Sequence, residues 1–307
     1  MTPLLLLMVL IWGSNFSVIK RAFEEVPPQA FNAVRIALAS VVALAAVAWT
    51  RHRGRAGRLS RVFYTPDALT ARDRVGLIWL GFVGHFIYQF CFVEGVAATS
   101  VSNAALIIGS TPAVVAVLAA VTGRERIAPV HWAGAGVSAV GVYFVVGHGA
   151  SFNAATLRGD LMIATAMICW AVYTIGTSRL IERHSPLFVT GITLVLGGLP
   201  YSAAMWPEVA QVHWARVSLW AWSALVLSAL LAICLAYLIW YVAVQRIGAA
   251  RTAIYSNLVP IVAVTVAVVW LHEPVSRAKI VGAACVVSGV FLTRLGRGGS
   301  AAVAIEE

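Results

Sequence analysis

Long apolar runs separated by short polar breaks make up most of this chain. Ten runs lie near residues 3–19, 29–50, 75–94, 99–121, 129–147, 159–178, 186–206, 217–243, 249–271 and 278–294. About 20 apolar residues in an α-helix cross a bilayer core of about 30 Å, where a helix satisfies its own backbone hydrogen bonds. We therefore predict an all-α polytopic membrane protein with ten transmembrane helices. The tightest turns are expected near 95–98 and 244–248.

Composition supports a membrane protein over a soluble one. Of the 307 residues, 61% are hydrophobic and 11% are charged, and the mean hydropathy is +0.88. An ordinary soluble domain is roughly 25% charged. Alternating segments of about 10 residues, typical of an outer-membrane barrel, are absent from the sequence.

The net charge of +10 is concentrated in one place. Seven arginines fall within residues 51–74, between two apolar runs, a placement typical of a cytoplasmic loop and of contact with anionic lipid. We predict no nucleic-acid partner. Both termini are expected on the cytoplasmic side of a bacterial inner membrane, although Lys20 and Arg21 then lie on the outer side. The first run lacks the basic start and cleavage site of a signal peptide.

The chain contains an internal repeat. A shift of 148 positions aligns residues 92–144 with 240–292 and pairs Pro112 with Pro260. The same shift pairs Glu125 with Glu273, and a weaker match at a shift of 158 pairs Trp12 with Trp170.

Each half of the repeat has five predicted spans, an odd number, so the second half enters the membrane inverted. Inverted repeats are typical of secondary transporters, which hold substrate near the midplane between the halves. We therefore expect two inverted five-helix repeats around a central cavity. The predicted units are a first repeat at 1–147, a linker at 148–158, a second repeat at 159–297 and a cytoplasmic tail at 298–307.

Pro112 and Pro260 each remove one backbone hydrogen bond, which frees the carbonyl of Ile108 or Ser256. In lipid such a carbonyl needs a partner or a wet cavity. Two interpretations remain open. The prolines are helix kinks patched by neighbouring hydroxyls, or they mark kinked polar helices that line a shared cavity and flex during transport.

Several stretches resemble a known family. VEGVAATSVSNAALIIGSTP (93–112) is echoed by AVQRIGAARTAIYSNLVP (243–260), and WGSNF (12–16) is followed by NAVRIALAS (32–40). Together they resemble the EamA-type repeat of the drug/metabolite transporter superfamily, and within it the bacterial exporters of amino acids, aromatic amino acids included. The resemblance implies ten helices, with the fifth and tenth peripheral and the others around a central cavity. Thr193 stands where Arg35 would recur, so Arg35 is not duplicated.

Polar and aromatic residues inside the spans are the candidates for substrate binding, because polar groups in lipid are costly and usually functional. His85, Tyr88 and Gln89 share one helical face. Packing is the alternative role for each candidate. The predicted cavity residues are Trp12, Asn15, Arg35, His85, Tyr88, Gln89, Trp170, Tyr173, Tyr237, Trp240, Ser256 and Asn257.

Charged residues in or near the spans have two kinds of role. Arg35 either anchors a substrate carboxylate, which its planar fork matches, or serves as a structural residue. Glu125 and Glu273 are expected to cap helix N-termini. We predict no metal site and no cofactor, because the four cysteines are scattered and no paired carboxylates, HExxH or glycine-rich phosphate loop occurs in the spans.

These features predict a transporter that exports small amphipathic metabolites, most directly neutral or aromatic amino acids, as a facilitator or exchanger working by alternating access. Drug-cation efflux requires a buried acid, which we do not find in the first and sixth spans. Sugar-phosphate or nucleotide-sugar transport requires several buried basic residues, and only Arg35 is available. A membrane enzyme would need clustered acids and histidines, and a scaffold would not need facing polar stripes. The expected partners are a small-molecule substrate and the bilayer. The sequence does not fix the oligomeric state and is compatible with a monomer.

Overall fold

Helices occur in each of the ten predicted spans. The computed structural model describes residues 1–54, 62–64, 68–111, 114, 118, 129–147, 154–247, 252, 255 and 258–295. In the first half the helices are α1 (Thr2–Ala22), α2 (Pro28–Gly54), α3 (Ala71–Gly81), α4 (Tyr88–Ala98), α5 (Val101–Gly109) and α6 (Pro129–Gly147). In the second half they are α7 (Ala154–Leu180), α8 (Pro186–Ala204), α9 (Trp206–Gln211), α10 (Leu219–Leu227), α11 (Ala236–Ile247), α12 (Val259–Trp270) and α13 (Arg277–Leu295).

The chain is a helical polytopic membrane protein. Within the described residues, six helical stretches are long and apolar enough to cross a membrane: Thr2–Ala22, Pro28–Arg53, Ala71–Ala98, Thr156–Leu180, Pro186–Ala204 and Leu219–Arg246. Large apolar side chains such as Leu219, Val269 and Leu10 are exposed on their surfaces. In water such exposure would be costly, whereas in lipid it matches the solvent.

The third and eighth spans are each interrupted by a π-helical segment. Residues Phe82–Ile87 join α3 to α4, and Ser228–Leu235 join α10 to α11. The repeat shift of 148 places the first segment on residues 230–235, inside the second. A π segment is rare and usually occurs at a functional position. The two segments therefore mark equivalent points in the two halves.

Helix contacts come in matched pairs that relate the two halves. The first span packs on the ninth (α1 on α12), as the sixth packs on the fourth (α7 on α5). The third packs on the sixth, as the eighth packs on the first, and α2 meets its own counterpart α8. Helices of the two halves thus interdigitate, and residues from both halves meet at the centre.

The fifth and tenth spans, α6 and α13, pack mainly on each other. A Cβ atom on Gly141 of α6 would lie 2.6 Å from the backbone nitrogen of Val286 and 2.7 Å from the carbonyl oxygen of Gly282. Only glycine permits so close a helix crossing. The repeat shift of 148 pairs Gly141 with Gly289 and Gly134 with Gly282, so this part of the repeat encodes a contact between the halves.

The turn between the third and fourth spans lies at Thr99–Ser100, so the turn expected near 95–98 is wrong by a few residues. The ammonium of Lys20 donates to the carbonyl oxygens of Val96, Ala97 and Thr99 at 2.7–2.8 Å. A cation at a helix C-terminus stabilises the last carbonyls, which lets α4 continue to Ala98. This contact also accounts for a lysine in the last turn of the first span.

Glu273 caps a helix of the opposite half. Its carboxylate accepts from the backbone nitrogens of Val101 (2.7 Å) and Ser102 (3.1 Å) and from the hydroxyl of Ser102 (2.7 Å), at the start of α5. The predicted capping role is confirmed for Glu273. Its repeat partner Glu125 lies outside the described residues.

We expect Glu273→Gln to destabilise the protein by about 1 kcal/mol, the usual cost of losing a helix cap. One charged acceptor would be lost at α5, and with it the favourable interaction with the helix dipole. Thermal unfolding of the purified protein in detergent measures the change.

Glu24→Gln is the matched control, because Glu24 forms an exposed ion pair with Arg21 of the kind that contributes little. Equal unfolding temperatures for the two variants would contradict a stabilising role for the Glu273 contact.

Candidate functional site

Six aromatic side chains from four spans meet between the two halves. Trp170 contacts Tyr237 at 5.1 Å and Tyr88 at 5.4 Å between ring centroids, and Trp12 contacts Trp240 at 5.7 Å. Tyr173 contacts Trp170 at 5.7 Å. We call Trp12, Tyr88, Trp170, Tyr173, Tyr237 and Trp240 the aromatic cluster.

The repeat-related tryptophans face each other inside the aromatic cluster. Trp12 and Trp170 are edge to face, with centroids 6.0 Å apart, an arrangement that the ring quadrupoles favour. The indole N–H of Trp12 donates to the carbonyl oxygen of Ala232 at 3.0 Å. Ala232 lies in the second π segment, so that segment helps to orient Trp12.

A buried polar network surrounds Arg35, whose side chain is only 2% exposed. Its guanidinium donates twice to the amide oxygen of Asn32, once to the hydroxyl of Ser228 (2.9 Å) and once to the amide oxygen of Gln89 (3.1 Å). These partners come from the second, third and eighth spans. Arg35 therefore joins both halves of the repeat.

Two further spans join the network through its partners. Ser228 donates to the amide oxygen of Asn15 at 2.6 Å, which adds the first span one turn from Trp12. Asn32 donates to the hydroxyl of Tyr201 at 2.9 Å, and Tyr201 donates to Gln29, which adds the seventh span.

Every described hydrogen-bond partner of Arg35 is a neutral oxygen. In the part of the chain that the structure describes, aspartate and glutamate form ion pairs elsewhere, as in Arg21–Glu24 and Arg183–Asp73, and none pairs with Arg35. An arginine at the centre of a membrane helix costs about 2.5–3.5 kcal/mol on insertion scales. Neutral hydrogen bonds offset part of that cost, and the positive charge remains without a counterion from these residues.

A second polar group lies beside the aromatic cluster. His85, in the first π segment, is fully buried, and its Nε2 lies 3.1 Å from the hydroxyl of Tyr173. That hydroxyl lies 2.8 Å from the hydroxyl of Thr193. Thr193 occupies the repeat position of Arg35, so the second half has a neutral hydrogen-bond chain where the first half has a cation.

The structure brings together ten of the predicted cavity residues, all in these two groups or their direct contacts. Trp12, Tyr88, Trp170, Tyr173, Tyr237 and Trp240 form the aromatic cluster, Asn15, Arg35 and Gln89 the Arg35 network, and His85 the adjoining chain. Ser256, Asn257 and Pro112 lie outside the described residues. That these side chains bind substrate remains a prediction.

Pro260 and the surroundings of Pro112 bear on the two interpretations of the prolines. Pro260 lies in the first turn of α12, after a turn at Leu258, where a missing N–H breaks no bond within that helix. Near Pro112, the hydroxyl of Thr111 donates to the carbonyl oxygen of Ile108. A hydroxyl thus satisfies the carbonyl that Pro112 was expected to free.

Sequence reasoning missed several members of the site. Asn32 stands three residues before Arg35 on one helical face, a spacing that could have revealed it. Ser228 and Tyr201 sit in apolar runs and reach Arg35 or its partner only through the fold.

The expectation that the sixth span contains no buried acid is wrong. Asp160, in α7, is buried, accepts from the hydroxyl of Thr99 at 2.6 Å and lies 3.5 Å from the amide nitrogen of Asn103. It lies in the second turn of its helix, near the N-terminal end. Its geometry is that of a carboxylate holding the turn between the third and fourth spans.

One described cavity, of about 740 Å³, lies where the turn between α1 and α2 meets α9 and the residues that follow it, and it is lined by residues such as Glu25, Glu208, His213 and Arg216. It contains none of the predicted cavity residues. Among the residues that the structure describes, no group of three or more His, Cys, Asp or Glu could hold a metal ion.

Fold and repeat together define a membrane transporter with an aromatic and polar centre. A family model for the EamA-like transporter family matches residues 2–147 and 157–295. The chain belongs to this family, within the drug/metabolite transporter superfamily.

Similar proteins cover nearly the whole chain. "Uncharacterized transporter YyaM" of Bacillus subtilis is 27% identical over 91% of this chain and 88% of its own length. The "Probable terminal-alkyne amino-acid exporter" of Streptantibioticus cattleyicolor is 28% identical over 94% of this chain and 91% of its own length. One crystal structure, 20% identical, superposes with a TM-score of 0.62 over 96% of this chain and 97% of that one, which shows a shared fold.

Proposed function

We propose that this transporter exports small amphipathic metabolites that carry a carboxylate, most directly neutral or aromatic amino acids. The observation that carries the proposal is Arg35, a buried cation whose hydrogen-bond partners among the described residues are all neutral oxygens. A substrate carboxylate would supply the missing negative charge, and the planar guanidinium suits two oxygens at once.

The aromatic cluster supports the apolar half of this substrate class. Trp12, Tyr88 and Trp170 offer large faces to an aliphatic or aromatic side chain. The buried indole N–H of Trp240 has no acceptor among the described residues, so it is a donor available to a substrate's polar end. One end of the site is thus cationic and the other aromatic.

One of the named relatives supports this substrate class. The Streptantibioticus cattleyicolor protein is described as a probable exporter of a terminal-alkyne amino acid, a small amphipathic molecule with a carboxylate. Its similarity extends along nearly all of this chain, which supports a related substrate here.

Two other substrate classes fit the described centre less well. A cationic drug would meet the positive charge of Arg35, and the buried acids Asp73 and Asp160 are engaged by partners near the ends of their spans. A sugar phosphate carries two negative charges and would call for further buried basic residues beside Arg35.

The same distribution of acids supports transport as a facilitator or exchanger. Moving protons across the membrane requires a titratable relay near the midplane. Asp73 and Asp160 each lie near the N-terminal end of their helix, α3 and α7, and Glu273 is a helix cap. We further propose an inner-membrane location with both termini cytoplasmic, as the arginines of 51–74 indicate, and no catalytic activity.

Counterflow tests this function. Proteoliposomes loaded with unlabelled phenylalanine should accumulate labelled phenylalanine from outside, with a protonophore present and no ion gradient, because exchange needs only the substrate's own gradient. Protein-free liposomes are the control. Leucine and tryptophan should compete with the label.

Counterflow of an organic cation with none for any amino acid would contradict the proposed substrate class. Accumulation of amino acid that follows an imposed pH step, and stops when His85 is changed to alanine, would contradict the facilitator mechanism.

The aromatic cluster should set substrate preference. We expect Trp12→Leu, Tyr88→Leu and Trp170→Leu to shift the ratio of tryptophan to leucine counterflow by roughly two- to tenfold, since one lost ring contact is worth about 0.5–1.5 kcal/mol beyond its buried area. The measurement is competition between the two amino acids in proteoliposomes.

Trp49→Leu is the matched control, because Trp49 is 57% exposed near the cytoplasmic end of α2 and faces away from the cluster. If the three cluster variants only lower the amount of folded protein and leave the ratio at the control value, the rings serve packing and not selection.

A further inference from the structure

His85 is a buried histidine with one ring nitrogen that has no hydrogen-bond partner among the described residues. The side chain is 0% exposed, and its Nδ1 has no hydrogen-bond partner among the described residues. An unpaired buried polar atom costs about 1–3 kcal/mol. A cost of that size at the centre of a transporter points to a partner that arrives with the substrate.

The neighbouring hydroxyls determine which nitrogen of His85 carries the proton. The hydroxyl of Thr193 lies near the carbonyl oxygens of Val189 (2.8 Å) and Thr190 (3.1 Å) and near Nε2 of His85 (3.4 Å). Because the Val189 carbonyl is the nearest of these and can only accept, we assign the hydroxyl hydrogen of Thr193 to it, which makes Tyr173 the donor at its 2.8 Å contact with Thr193. The oxygen of Tyr173 is then left to accept from His85, 3.1 Å away. In this assignment His85 is protonated at Nε2, and Nδ1 presents a lone pair.

Glycines hold this arrangement in place. A Cβ atom on Gly84 would lie 2.5 Å from the ring of Tyr173, and one on Gly197 would lie 2.9 Å from the Cβ of His85. The ring of Tyr173 therefore lies directly on the first π segment, and the seventh span directly on the third. Any larger side chain at these positions would move His85 from Tyr173.

His85 lies close to the Arg35 network along the same span. Gln89, which accepts from Arg35, follows His85 by four residues, a rise of about 6 Å in a helix. The carboxylate and amino group of an α-amino acid are joined by one carbon. A substrate that binds Arg35 through its carboxylate can therefore direct its amino group along the third span towards His85.

The described centre offers an ammonium group no carboxylate. The buried acids Asp73 and Asp160 lie near the ends of their spans, so the ammonium needs neutral acceptors and aromatic faces. The ring of Tyr237, 5.9 Å from that of His85, provides one such face. His85 provides the lone pair.

We propose that Nδ1 of His85 accepts a hydrogen bond from the substrate's amino group, and that this contact makes the site select amino acids over the corresponding carboxylic acids without an amino group. The inference rests on the proposed function, because it assumes a carboxylate on Arg35. It adds a specificity residue to the site and assigns its protonation state.

Binding of a matched ligand pair to the purified protein in detergent tests the contact. Phenylalanine and 3-phenylpropionate share ring and carboxylate and differ by the amino group. We expect His85→Phe, which keeps a ring and removes the acceptor, to weaken phenylalanine binding by about tenfold or more. Binding of 3-phenylpropionate should change by less than about threefold.

Thr193→Val provides a second variant that leaves His85 in place. Without the oxygen of Thr193, the hydroxyl of Tyr173 has His85 as its acceptor, and the ring proton moves from Nε2 to Nδ1. Phenylalanine binding should fall while 3-phenylpropionate binding holds. Nitrogen NMR of histidine-labelled protein should show Nδ1 unprotonated in the wild type and protonated in Thr193→Val.

Equal losses for both ligands, or no loss for either, in the variant that remains folded would overturn the role of His85. So would a wild-type NMR spectrum with the proton on Nδ1. If the wild type binds 3-phenylpropionate and phenylalanine equally well, the carboxylate site stands and the amino-group contact fails. If it binds neither, the proposed function itself fails.

Discussion

The positive charge of Arg35, buried within the membrane, is the constraint on which the centre of this protein depends. Its guanidinium makes four hydrogen bonds, all to neutral oxygens of Asn32, Gln89 and Ser228. Hydrogen bonds to a charged group contribute about 1.5–3 kcal/mol each, enough to hold the side chain in place. They leave the charge uncompensated within the described residues. This arrangement keeps the side chain in place and leaves its charge free to attract a bound anion such as a substrate carboxylate.

Two π segments position the side chains that surround this charge. The segment Ser228–Leu235 presents Ser228 to Arg35 and the carbonyl of Ala232 to Trp12, while Phe82–Ile87 presents His85 to Tyr173. Because the segments occupy equivalent places in the repeat, the same local backbone conformation occurs in both halves, and the side chains that it positions differ. The first half supplies the cation, whereas the second half has the neutral hydroxyl of Thr193 at the equivalent position, which contacts Tyr173 and, through it, His85 of the first half. This difference gives a nearly symmetric scaffold two unlike ends for an asymmetric substrate.

Features of the structure that depend on local sequence could be predicted, whereas features that depend on contacts between distant spans could not. Apolar runs of membrane length predicted the helices, and the spacing of Trp12, Trp170 and the tyrosines predicted that they share faces. The π segments have no sequence signal, since they depend on packing between spans. Ser228 and Tyr201 could not be assigned because their partners are more than 160 residues away. The burial of Asp160 was not predicted because it depends on the turn at Thr99. The role of Lys20 was not predicted because the carbonyl oxygens that it binds lie at the end of another helix, α4.

The most direct test of this account compares phenylalanine with phenylalaninamide, which lacks the negative charge, for binding to the wild type and to Asn32→Asp. The substitution is nearly isosteric. It places a permanent negative charge on the side chain that already accepts two hydrogen bonds from Arg35. The account predicts that the wild type binds the acid more tightly than the amide by at least about tenfold, as for a charge-assisted pair, and that Asn32→Asp abolishes the preference while the protein stays folded. An unchanged preference in Asn32→Asp, or none in the wild type, would show that Arg35 serves only the structure.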